Sequence, residues 1–187
     1  QCMGEYDGAL DYYKQSYNID LEVGDRVYTG AKLANIGQAQ AELGQFERAE
    51  RYLRKAADVC KAVEDTSGLA DALTTLGQMR LWQSRIADAR RYLIKALELS
   101  RQSESAYSEM RARIYLAVAK MEAGEPAEAA MNEADLATDI SRRSDMPQGV
   151  VFGLMVGAAI LGQATLGRRD EVGEDPLVHP VIVPLVV

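Results

Sequence analysis

The sequence predicts an all-α fold: an α-solenoid of antiparallel helix pairs. The first of two observations is a ladder of small residues 40 apart, Gly4, Gly44, Ser84 and Gly124, each opening a similar phrase. These phrases read Gly-Glu-Tyr-Asp-Gly-Ala from Gly4, Gly-Gln-Phe-Glu-Arg-Ala from Gly44, Ser-Arg-Ile-Ala-Asp-Ala from Ser84 and Gly-Glu-Pro-Ala-Glu-Ala from Gly124. Self-similarity at a fixed period means that each unit buries its apolar face only on its neighbours. The second observation is that between rungs the large apolar residues recur at steps of three and four, one face of a 3.6-residue helix.

The elements follow in chain order. A helix is expected near 5–23, carrying Ala9, Tyr13 and Ser16, and another near 26–43, carrying Ile36-Gly37. Over 46–63, Phe46, Ala49, Leu53, Ala56, Cys60 and Val63 form one stripe. The expected helix over 66–83 carries Leu76-Gly77, and that over 86–103 has the stripe Ile86, Ala89, Leu93, Ala96 and Leu97. Leu116-Ala117 marks 106–123, Ala129 and Leu136 mark 126–143, and Val156-Gly157 marks 147–166. The small residues Gly37, Gly77, Ala117 and Gly157, and Ala9, Ala49, Ala89 and Ala129, stand on two further 40-residue ladders, which implies close backbone approach within each pair. Asp25, Asp65, Ser105 and Asp145 precede new helical patterns as expected N-caps, since their side-chain oxygens can accept an orphan amide of the first turn. Pro147 and Pro126 fall in first turns, where a missing N–H is harmless.

The pattern fails after 164: Leu166-Gly167 arrives three residues late and only a stub to Glu174 follows. The expected domains are therefore the array over 1–174, truncated at its N-terminus, and an extended apolar tail over 175–187. Three prolines, Pro176, Pro180 and Pro184, bar that tail from forming a helix. Its last eleven residues have the high hydrophobicity and low charge that oppose disorder, so docking on the apolar C-terminal half, within one molecule or between copies, is expected.

Composition excludes several function classes. The 187 residues include 48% hydrophobic and 26% charged, ample for a core. A net charge of −7 argues against nucleic acid and anionic membrane, both of which need a Lys/Arg excess. Val150–Gly162 is apolar for only 13 residues, short of the ~20 needed to span a bilayer, and Gly157 belongs to a ladder. Two cysteines, Cys2 and Cys60, in unrelated contexts suit a reducing, cytoplasmic setting. His179 is the only histidine, no phosphate-binding glycine loop occurs and no His/Cys cluster has metal-ligand spacing, so no enzyme activity, metal or cofactor is expected. Cys60 lies on an apolar stripe, as a buried, inert thiol would.

The Leu-Gly step of one helix and the Ala-x-x-x-Tyr/Leu of the next, as in Ile36-Gly37 with Ala49/Leu53 and Leu76-Gly77 with Ala89/Leu93, resemble the tetratricopeptide repeat. The usual unit is ~34 residues; the 40-residue unit resembles the arrays of Leu-Gly-Asn-repeat G-protein regulators, kinesin light chains and MalT-like regulators. The resemblance implies a right-handed superhelix whose first helices line a concave groove. Groove positions carried over from it lie three before, one after and four after the Gly/Ala rung. They include Ala34, Gln38 and Ala41; Thr74, Gln78 and Leu81; Ile114, Val118 and Met121; and Leu154, Ala158 and Leu161. None is charged, which implies the absence of a carboxylate clamp and a weak dependence of binding on salt. Trp82, Tyr115, Asp71 and Arg111 flank the strip.

The functional expectation is a non-catalytic scaffold or adaptor binding a protein or peptide ligand, with Gln38, Thr74, Gln78, Leu81, Arg111, Ile114, Val118, Met121 and Leu154 as the partner-binding set. The alternative is the sensor segment of a larger MalT-like regulator. Self-association through the tail completes the set of expectations.

Overall fold

The computed structural model describes Gln15 and residues 28–170, with side chains to 164. The expected helix over 5–23, apart from Gln15, and the tail over 175–187 lie outside this range. Over residues 28–170, seven helices follow one another: α1 (Thr29–Glu42), α2 (Phe46–Ala62), α3 (Thr66–Trp82), α4 (Ile86–Gln102), α5 (Ala106–Glu122), α6 (Ala127–Arg143) and α7 (Pro147–Asp170). No strand occurs among the described residues. Five of the seven have 17 residues, and links of three or four residues keep the half-period at 20.

Among the described residues, the 40-residue ladder of Gly44, Ser84 and Gly124 is a ladder of helix stops. Gly44 and Gly124 take φ of +73° and +71°, the left-handed region that closes a helix. After α1, Gly44 N–H donates to Ala41 O at 2.9 Å and Gln45 N–H to Gln40 O at 2.8 Å, satisfying two orphan carbonyls. The same double bond closes α3, where Ser84 N–H reaches Leu81 O and Arg85 N–H reaches Arg80 O, both at 2.8 Å. Ser84 holds φ +55° without glycine's freedom, as do Glu64, Glu104 and Asp145 in the other links.

Two expected N-caps form: Asp65 accepts from Gly68 N–H at 2.8 Å, and Ser105 from Ser108 N–H at 3.3 Å. Asp145 is a correction. It sits in the left-handed link at φ +52°, and α7 starts at Pro147. Pro126 is likewise the N-cap of α6, one residue outside the helix. The C-terminal boundary also differs from expectation. Rather than stopping at a stub, α7 runs 24 residues through Leu166-Gly167 to Asp170. Ala164 occupies the rung where glycine or serine elsewhere ends a helix, and alanine is the strongest helix former.

Helices α1/α2, α3/α4 and α5/α6 pack as pairs, and each pair packs on the next. First helices also meet one another (α1–α3, α3–α5, α5–α7), whereas α2, α4 and α6 do not. The first helices therefore crowd the concave side.

Within pairs the small rungs receive a leucine. A Cβ on Gly37 would lie 2.6 Å from Leu53 Cγ, and one on Gly77 would lie 2.6 Å from Leu93 Cγ. The third pair changes chemistry: the position 40 residues after Leu93 is Glu133, only 8% exposed. Its carboxylate accepts from Arg113 Nη1 at 2.6 Å and from Lys120 Nζ at 2.9 Å, and Arg113 also pairs with Glu109 at 2.9 Å. An ionic clasp thus replaces the leucine clasp.

One face of α7 is seated. Cβ atoms on Gly149 and Gly153 would strike Ser141 Oγ and Thr138 Oγ1 of α6, and Gly157 faces Met131. The other face leaves Val151, Leu154, Met155 and Leu161 exposed. Pro147–Ala164 is long and apolar enough to cross a membrane by length and composition, with a mean hydropathy of 1.4. The 13-residue run read from sequence is thus part of a longer apolar helix, packed on α6 along one side.

Candidate interaction groove

Where the four first helices converge, the concave face holds a cavity of about 180 Å3. Gln38 and Glu42 of α1 and Gln78 of α3 form one wall. Tyr107, Met110, Arg111, Ile114 and Tyr115 come from α5, at the i, i+3, i+4, i+7, i+8 spacing of a single helix face. Gln148, Gly149 and Phe152 of α7 close the far side.

Arg111 is held on three sides. Its guanidinium carbon lies 5.6 Å from the centre of the Tyr107 ring, within cation–π range. Its Nη1 is 3.7 Å from Asp71 Oδ1, and its Nη2 donates to Thr75 Oγ1 at 3.5 Å. Burial pushes the Asp71 carboxyl above its ordinary range, against the pull of the Arg111 charge and a hydrogen bond from Ser108. Tyr115 stands edge-on to Phe152, with ring centres 6.3 Å apart. Burial raises its hydroxyl pKa, an effect that Arg111 opposes and the charge of Glu42 reinforces; a hydrogen bond from Gln78 also opposes it. Gln38 Nε2 donates to Glu42 Oε1 at 3.0 Å.

Of the nine residues expected from sequence, Gln38, Gln78, Arg111 and Ile114 meet at this cavity. The other five do not line it. Thr74 is fully buried and turns its hydroxyl to Ala70 O at 2.9 Å. Leu81 packs beside Leu93 and Leu116, and Val118 and Met121 pack beside Ala130 and Ile160, so all three serve the core. Leu154 is 55% exposed on α7 without reaching the cavity. The expectation of uncharged groove positions is also corrected: Glu42 lines the cavity, and so does Arg111, which was expected beside the strip. The cause is rotation between units. The lining slides from the C-terminal half of α1 to the first turns of α7, so one offset moved along by 40 residues cannot follow it. Sequence reasoning passed over Glu42, Tyr107, Met110, Gln148, Gly149 and Phe152; the Tyr107–Tyr115 stripe was the signal available.

A second cavity, of about 380 Å3, lies between α1 and α2, lined by Gln40, Arg48, Arg51, Tyr52 and Lys55. Among the described residues, no group of three His, Cys, Asp or Glu is placed to hold a metal ion. Cys60 is buried and its thiol is pushed up to about 11, by burial first and then by the Asp65 carboxylate.

An array of short helix pairs with aromatic and arginine side chains on its inner face defines the class: a helical-repeat protein. Two sequence models, both described as tetratricopeptide repeat, match residues 1–62 and 69–104, together just over half of the chain. The chain belongs to the tetratricopeptide-repeat family, whose repeats generally mediate protein–protein interaction. Among solved structures, it is similar to BtubC (BKLC) of P. vanneervenii at TM-score 0.64 and 14% identity, over 100% of this chain and 82% of that one. It is also similar to a kinesin-light-chain-like protein of Podosopora anserina with nearly identical repeats, at TM-score 0.60 and 14% identity, over 90% of this chain and 85% of that one. A point variant of that protein gives TM-score 0.61 and 15% identity, over 90% of this chain and 84% of that one. At such identities the likeness concerns the fold. No curated protein matches the sequence.

Proposed function

We propose that this chain is a non-catalytic interaction module that holds a peptide or helix of a partner protein in its concave groove, in the cytoplasm. The observation that carries this reading is the convergence of Tyr107, Arg111, Tyr115 and Phe152 on one cavity, since aromatic and arginine side chains dominate binding hot spots. Size supports a side chain of a protein over a free small ligand: the cavity is about 180 Å3, whereas small-molecule sites occupy roughly 300–1,000 Å3. That comparison weighs against a ligand-sensing segment of the MalT-like kind.

Ile114→Asp and Val118→Asp, at two of the groove positions expected from sequence, are poor probes. Ile114 is 1% exposed, so a buried carboxylate there would unseat the core. Tyr107→Ala and Phe152→Ala test the groove better, because Tyr107 is exposed and Phe152 half-buried. Both should abolish partner binding with helicity by circular dichroism unchanged; full retention of binding moves the site elsewhere.

The tail belongs to the same reading. Leu177–Val187 contains eight aliphatic residues in eleven and no Lys, Arg, Asp or Glu. The exposed Val151, Leu154, Met155 and Leu161 offer it an apolar face, within one molecule or between two.

A further inference from the structure

We propose that the groove recognises a cationic side chain, a lysine or arginine of the partner, seated between Glu42, Gln78 and the rings of Tyr115 and Phe152. This rests on the groove reading and adds the chemistry of the guest.

Unmet acceptors point to that guest. Glu42 lines the cavity half-buried, with one oxygen accepting from Gln38, and no lysine or arginine pairs with it among the described residues. Gln78 is 6% exposed and lines the same cavity, yet its Oε1 has no donor. Buried acceptors are ordinarily satisfied, so an orphan that lines a cavity marks where a ligand's donor belongs. Around Glu42 and Gln78 stand Tyr107, Tyr115 and Phe152, whose ring faces attract cations.

An anionic guest has less to gain. Among the described residues, the one cation lining the cavity is Arg111, already held by Asp71, Thr75 and the Tyr107 ring. A carboxylate would therefore have to displace an existing partner. A lysine or arginine instead meets a carboxylate that no lysine or arginine among the described residues pairs with, and the donor-less carbonyl of Gln78. Its aliphatic stem can pack on Met110, Ile114 and Phe152. The cavity, about 180 Å3, has room for one long side chain. A net charge of −7 draws cationic segments towards the molecule.

The test uses a positional-scanning library of fluorescein-labelled peptides in which one position is fixed as Lys, Arg, Glu, Asp or Leu, read by fluorescence polarisation. The expected result is at least tenfold tighter binding of the Lys and Arg pools than of the Glu and Asp pools, weakening as salt rises. Glu42→Gln should erase that preference. Glu122→Gln, which changes net charge equally at the position 80 residues along, should leave it intact. Preference for acidic pools, equal binding of all pools, or a preference unchanged in Glu42→Gln would overturn the cationic guest. The groove itself would survive those results, provided that Tyr107→Ala and Phe152→Ala still abolish binding. Binding of no pool, or binding indifferent to Tyr107→Ala and Phe152→Ala, would sink both readings.

Discussion

Glu133 concentrates the residue-scale physics of this fold. It stands where Leu53 and Leu93 fill the preceding pairs, so the repeat pattern calls for an apolar side chain, and the molecule meets the charge with Arg113 and Lys120. Glu133→Ala should cost about 2–3 kcal/mol, because Arg113, 4% exposed, loses one of its two carboxylate partners and keeps only Glu109. Glu133→Leu with Arg113→Met and Lys120→Met should recover most of that loss, since apolar replacement of a buried ion cluster is often neutral. Thermal or urea unfolding of the two variants decides the matter; equal destabilisation of both would mean that the clasp serves more than charge balance. Cys60 gives a prediction with a sign. Its folded thiol holds its proton to about 11 against an ordinary value of 9.0, so between these values the folded state binds more protons than the unfolded one. The resulting stability is fully present below about 9 and is lost as pH rises towards 11. Melting scans at pH ~8.5 and pH ~10.5 should show a larger fall for the native chain than for Cys60→Ala.

At the scale of the element, the links were the most legible part of the sequence. A helix stop requires a left-handed residue, glycine supplies it at least cost, and so Gly44 and Gly124 read as punctuation at once. The same rule predicts an asymmetry between rungs. No atom lies within 4 Å of a Cβ added to Gly44, so Gly44→Ala pays only for its backbone conformation, about 1 kcal/mol. Ser84→Gly should gain a similar amount by relieving φ +55°. Differential scanning calorimetry should move the two midpoints in opposite directions; shifts of the same sign would contradict the role given to the ladder. Asp145 and the end of α7 were less legible. An aspartate before a proline-started helix reads as a cap whether it caps or merely bridges the link, and the end of α7 turned on one alanine replacing a stop.

Across the whole molecule, the solenoid was readable because each contact between units repeats at a fixed interval in the chain. The groove was not, because the rotation from one pair to the next shifts which turn of each first helix faces inwards. Gln38 and Gln78 keep the same register in α1 and α3, but α5 and α7 turn Tyr107, Arg111 and Phe152 inwards at other positions. Four of nine expected residues therefore met at the cavity, and charged Glu42 went unforeseen. The proposed tail contact is also a property of the whole chain. Deleting residues 176–187 should change either the mass in solution or the solvent accessibility of Leu154 and Leu161; no change in either would mean that the segment covers nothing.

The most direct test of the groove is site-specific crosslinking. A benzophenone amino acid replaces Gln148, an exposed residue lining the cavity, or Arg91, an exposed residue on α4, and each variant is irradiated with the tightest-binding peptide pool. A partner seated in the groove predicts covalent capture from position 148, suppressed by Tyr107→Ala, and little from position 91. Capture from position 91 with none from position 148 would contradict it.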